Sequence, residues 1–101
     1  MVGGSDKLVM GKPHLASHMH GSGGLGGVQI PASDKNPITE NSFQYIRDAL
    51  MKSTDKVIWA NTGAFTNLCF LFKEFPEVKT KISKIVLMGG AIGQGNITPA
   101  A

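Results

Sequence analysis

Regular hydrophobic periods begin at Ile38, and none precede it. Phe43, Ile46, Ala49 and Leu50 recur at three- and four-residue spacing, with Arg47, Asp48 and Lys52 between them. That spacing predicts an amphipathic helix over 39–52. Asn36 or Thr39 is suited to cap it and Pro37 to an early position, and Ser53-Thr54-Asp55 ends it. Residues 56–61, KVIWAN, are short, apolar and rich in β-branched side chains, the pattern of a buried strand. Thr62-Gly63 supplies the turn. Asn67 to Phe75 predicts a helix buried over much of its surface and stopped at Pro76. Glu77 to Ser83 is a polar turn or short helix. Lys84 to Met88 predicts a second buried strand, closed by Gly89-Gly90 and followed by a glycine-rich loop.

Strand, helix, strand at this spacing is a βαβ unit, in which apolar strands pair in parallel through a right-handed crossover. The helix at 39–52 is expected on a face of the same sheet. Two strands do not make a stable parallel sheet alone, so further strands are expected from outside these residues or from an oligomer. In open α/β sheets, ligands bind beyond the carboxyl ends of the strands. Those ends are Asn61-Thr62-Gly63 and Met88-Gly89-Gly90. Thr62, Asn67, Met88 and Asn96 are therefore the candidate ligand contacts, and Trp59, mid-strand, is expected to pack only.

The first 37 residues show neither period. They hold most of the glycines and all three histidines, and they are expected to be loop, with 38–101 forming an α-β-α-β core. So long a loop in a compact domain points to function or to an incomplete domain. At 101 residues the chain makes at most one small domain. Net charge is +3, but the lysines are scattered and no aromatics interleave with them, which argues against nucleic-acid binding. Cys69, the single cysteine, lies among Leu68, Phe70 and Leu71 and is expected in the core. No internal disulfide is available, no leader is recognisable at the start, and no apolar run reaches membrane length. A soluble cytoplasmic protein without a membrane role is the expectation.

Two motifs suggest chemistry that their context does not support. His14, His18 and His20 have spacings found in zinc sites, but a third or fourth firm ligand is missing and the lone thiol is far along the chain. Gly21 to Gly27 contains a Gly-x-Gly-Gly-x-Gly spacing. A dinucleotide site needs a strand before such glycines and a helix after them, whereas here a histidine-rich loop precedes and Pro31 follows.

Four ordered pieces carry a more specific signal: Thr62-Gly63, Thr66-Asn67, Met88-Gly89-Gly90 and Gly95-Asn96-Ile97-Thr98-Pro99. Together they resemble the middle of the inosine–uridine-preferring nucleoside hydrolases. HMHGSGGLGGV at 18–28 is similar to that family's His-x-His-Gly-Glu-Ser-Gly-x-Gly loop, with Ser22 where glutamate is usual. GGSDKLV at 3–9 resembles the preceding Gly-x-x-x-Pro-Leu segment, without its proline. The resemblance implies part of an open, mostly parallel α/β sheet with a Rossmann-like core. It also implies a whole enzyme that splits purine or pyrimidine ribonucleosides into base and ribose, as a homo-oligomer.

The resemblance implies roles as well. The residue matching Thr62 gives a backbone carbonyl to a Ca2+ ion at the pocket floor. Those matching Asn96 and Met88 meet the ribose, and the one matching His20 lies on a mobile loop near the pocket. The implied reaction is attack at the anomeric carbon by a water that calcium orients and acidifies, with an aspartate taking its proton. The family's Asp-x-Asp-Pro-Gly-x-Asp-Asp motif, which supplies that base and most calcium ligands, is absent, and Asp6, Asp34, Asp48 and Asp55 do not match it. The expectation is an internal fragment, about a third of a hydrolase domain, inactive alone. The alternative is a non-catalytic α/β interaction or nucleoside-binding remnant. Base preference depends on segments outside this sequence.

Overall fold

The structure is a computed structural model and describes residues 1–12 and 17–95. A single helical turn, α1 (Ser17–His20), is followed by α2 (Ser42–Lys52), β1 (Val57–Asn61), α3 (Thr66–Glu74), a 3-10 helix (Pro76–Lys81) and β2 (Ile82–Leu87). The two strands pair in parallel, with Trp59 opposite Ile85 and Asn61 opposite Leu87. The fold is an α/β arrangement: a two-stranded open sheet with α3 as the crossover between its strands.

The core is small because few apolar residues find cover. Leu71 and Val78 are fully buried, Leu50 nearly so, and Phe43, Ile46, Val57, Trp59, Phe72 and Phe75 pack around them. α2, α3 and the 3-10 helix thus share one apolar cluster with the Val57–Trp59 side of β1. Ile58, on the opposite side of the strand, is 63% exposed. Alternation along a strand produces this split: 57 and 59 face one way, 58 the other. The radius of gyration is 16.0 Å, against about 13 Å for a compact domain of this length. The N-terminal stretch contributes none of its described residues to the buried cluster. It is anchored at its ends, where Gly3 N–H donates to the Ile38 carbonyl (2.7 Å) and Ile38 N–H to that of Met1 (3.1 Å).

Four expectations are corrected. α2 begins at Ser42, after Asn41 in the left-handed region, so neither Asn36 nor Thr39 caps it. Cys69 is exposed, because α3 turns Leu68 and Leu71 inward and leaves the position about 100° further round on the outside. β2 starts two residues earlier than the apolar run suggests and is not buried. Ile85 is 38% exposed, Val86 and Leu87 50%, because β1 is its only neighbouring strand among the described residues. The stretch 1–37 carries the helical turn α1 at Ser17–His20, which has no periodic signature.

An ion pair ties α2 to the 3-10 helix. Arg47 donates to Asp48 (2.7 Å) and to Glu77 (3.0 Å). Both hydrogen bonds, first that to Asp48, hold the guanidinium proton more tightly than usual. The Glu77 carboxyl lies below its ordinary range, held there first by its own backbone N–H and then by Arg47. A lowered carboxyl pKa means that the unfolded chain takes up the proton first. The contact's contribution is therefore complete above the ordinary carboxylate range and is lost as pH falls through the lowered value.

Two outcomes are expected in urea denaturation. Leu71→Ala should cost about 2–5 kcal/mol, while Ile58→Ala should stay within roughly 0.5 kcal/mol. Equal costs would contradict a core on one side of β1. Glu77→Gln should flatten the acid limb of the stability profile below about pH 4.5 by lowering its neutral plateau slightly, and leave the acid end unchanged.

Candidate functional site

Parallel pairing sets the carboxyl ends of β1 and β2 side by side. The Met88 N–H donates to the Asn61 carbonyl (2.9 Å), so the ladder runs from the last residue of β1 to one residue past β2. Thr62 and Met88 leave the sheet at the same edge, both exposed. The turn after β1 touches the loop after β2 through Phe65. A Cβ built on Gly89 would lie 2.9 Å from the tip of that ring, so the glycine allows the two segments to meet.

Beside the turn is an open cleft of about 640 Å³. Its walls are the Ser5–Leu8 segment, the end of β1 from Trp59, the Thr62-Gly63-Ala64 turn, and the first turn of α3 with Thr66 and Asn67. Among the described residues Asn61, 8% exposed, is the buried polar side chain. Its amide donates to the Gly63 carbonyl and accepts from the Trp59 indole N–H (3.3 Å), so both of its polar ends are used. A side chain of this kind fixes the turn that carries Thr62. Sequence reasoning passed over Asn61 as the last residue of a strand, and the signal available was an amide at a position whose alternation points inward.

Asn67 is also occupied: its side-chain oxygen accepts the Ser5 backbone N–H (2.8 Å). Trp59 does more than pack, since its indole N–H is bonded and the residue lines the cleft. His20 ends α1, is exposed, and does not line the cleft; its carbonyl accepts the Gly26 N–H (2.8 Å) within its own loop. Met88 is 68% exposed beside the cleft edge rather than in its lining. Asn96 and His14 lie outside the described residues. The structure thus brings Thr62, Asn67 and Trp59 to one cleft and sets Met88 at the adjoining strand end.

Among the described residues no three His, Cys, Asp or Glu side chains converge as metal ligands. Calcium needs six to eight oxygens, so the Thr62 carbonyl does not make a calcium site with the residues described. The glycine loop at 21–27 is preceded by one helical turn rather than a strand, and no helix follows it before α2, which does not match a dinucleotide-binding context. No helix among the described residues is long and apolar enough to cross a membrane.

Comparison with known proteins identifies the family. The family profile described as inosine-uridine preferring nucleoside hydrolase matches residues 1–101. The chain is 38% identical over 101 residues to a pyrimidine-specific ribonucleoside hydrolase, RihA, of Salmonella schwarzengrund, covering 100% of this chain and 32% of that protein. It is 37% identical over 98 residues to a non-specific ribonucleoside hydrolase, RihC, of Escherichia fergusonii, covering 97% and 32%. To the RihC of Escherichia coli it is 37% identical over 89 residues, 88% of this chain and 29% of that one. A match over its whole length places the chain in the inosine–uridine-preferring nucleoside hydrolase family. It spans about a third of the length of these relatives.

Asn61→Leu keeps the volume of the buried side chain and removes both its hydrogen bonds. It should cost about 1–3 kcal/mol in denaturant, because the Gly63 carbonyl and the Trp59 indole lose their partner. The Trp59 emission band should shift with it; an unmoved band would show that the amide does not hold the turn.

Proposed function

We propose that these residues are the central part of a ribonucleoside hydrolase domain, and that the complete domain splits purine or pyrimidine ribonucleosides into base and ribose. The observation that carries this reading is the coincidence of the family match with the shared strand edge at Thr62 and Met88. In that domain Asn96 would bond the ribose hydroxyls, for which an amide is suited as both donor and acceptor. Met88 would lie against the sugar and His20 would approach it from the 18–28 loop. The Thr62 carbonyl is the single ligand that we assign from this chain to the family's calcium ion. Tight contacts to the sugar raise the rate only where they strengthen as the ribosyl group gains positive charge. A homo-oligomer in the cytoplasm, handling free ribonucleosides, is part of the same proposal.

These 101 residues hold no Asp-x-Asp-Pro-Gly-x-Asp-Asp motif and so no matched general base. The isolated chain should therefore release no ribose from inosine or uridine in the presence of calcium. A longer in-frame product that includes the motif should release it, and Asn96→Ala in that product should lower kcat/KM by roughly 10²-fold. Activity of the 101-residue chain would overturn the assignment of the base to residues outside it. Inactivity of every longer product would favour the second reading, a non-catalytic interaction or nucleoside-binding protein. The exposed apolar residues Ile58, Val86 and Leu87 on the sheet speak for that alternative.

A further inference from the structure

The Ser5–Leu8 segment forms a cleft wall without belonging to any helix or strand. One side chain fastens it to the sheet end. Asn67, on the first turn of α3, accepts the Ser5 N–H at 2.8 Å across 62 residues of sequence. The preceding residue lies hard against the same amide. A Cβ placed on Gly4 would stand 2.5 Å from Asn67 Nδ2, 2.8 Å from Oδ1 and 2.9 Å from Cγ, closer than real Cβ contacts allow. Neither Gly4 nor Asn67 sits in the apolar cluster under β1.

We infer that Asn67 is a positioning residue: its amide latches the 5–8 segment in place as the wall of the cleft facing the Thr62 turn, and Gly4 is the bare backbone that lets the latch close. Asn67 acts through Ser5 and does not itself meet a ligand with the oxygen it spends there. A backbone N–H held by a side-chain carbonyl fixes the wall's register, because the bond is directional and its length is narrowly defined. The cleft is therefore set before any ligand arrives, which spares the binding step the cost of ordering a loop. That the ligand is a ribonucleoside rests on the family reading above; the latch itself rests on geometry alone.

The test uses the full 101-residue chain, with two local probes and one global one. The Ser5 amide is followed by hydrogen-exchange NMR, Trp59, the single tryptophan, by its emission, and the whole fold by urea denaturation. In Asn67→Ala the Ser5 amide should exchange about tenfold faster or more and the Trp59 band should move to the red, while the urea midpoint holds. Alanine is a better helix former than asparagine, so α3 itself is not weakened by the change. Asn67→Asp keeps an acceptor oxygen in the same place and should restore Ser5 protection. Gly4→Ala should reproduce the Asn67→Ala result and add nothing to it in the double variant, as expected of two residues in one contact. The latch is overturned if Ser5 is unprotected in the unsubstituted chain, if Asn67→Ala leaves both local probes unmoved, or if they move only with global unfolding. Failure of the hydrolase reading appears elsewhere, as absence of ribose release from longer products while Ser5 and Trp59 still respond to Asn67.

Discussion

Parallel pairing of β1 with β2 is the constraint from which the remaining geometry follows. Parallel strands cannot be joined by a tight hairpin, so the chain must cross back over the sheet, and α3 is that crossing. The crossing makes both strands end at the same edge. Thr62 and Met88, 26 positions apart in sequence, become neighbours across the Asn61–Met88 hydrogen bond. The same crossing covers the Val57–Trp59 side of β1 and leaves Ile58 open. The site edge and the uneven core therefore have one cause.

Polar side chains, rather than apolar ones, shape the edge itself. Asn61 holds the turn after β1 by bonding Gly63 and Trp59, and Asn67 holds the N-terminal segment by bonding Ser5. Each such bond is worth only about 1 kcal/mol net, but a buried amide left unpaired costs more than the bond returns. The geometry is accordingly specific without adding much stability. Glycines complete the arrangement at the two close approaches, Gly4 against Asn67 and Gly89 against Phe65.

The order and type of the elements from residue 38 onward were legible in the sequence, because their periods are strong: three- to four-residue spacing in α2 and β-branched apolar runs in both strands. The start of α2 was not, because Asn36 and Thr39 both suit a cap by residue type, whereas backbone geometry selects Asn41. Burial was overestimated for both strands, β1 being covered on one side only, and for Cys69. Apolar composition states what a residue can bury against, but a neighbour must be present to cover it, and β2 has one strand beside it here. In the site, Thr62 and Met88 were readable as strand ends. The role of Gly4 was not, since it depends on contact with Asn67 far along the chain, while Asn61 offered its inward alternation but not the identity of its partners.

The sequence by itself determined the periodic elements, the parallel pairing they require and the strand edge at which Thr62 and Met88 emerge, because each is written in spacing along the chain, and its ordered motifs carried the resemblance to the family. Only the tertiary structure decided that residues 5–8 close one wall of the cleft and that Asn67 is engaged by Ser5. The physical reason is range. Local periodicity follows from the geometry of a few consecutive residues, whereas a contact across 62 residues depends on how the whole chain packs and leaves no repeating mark in the sequence.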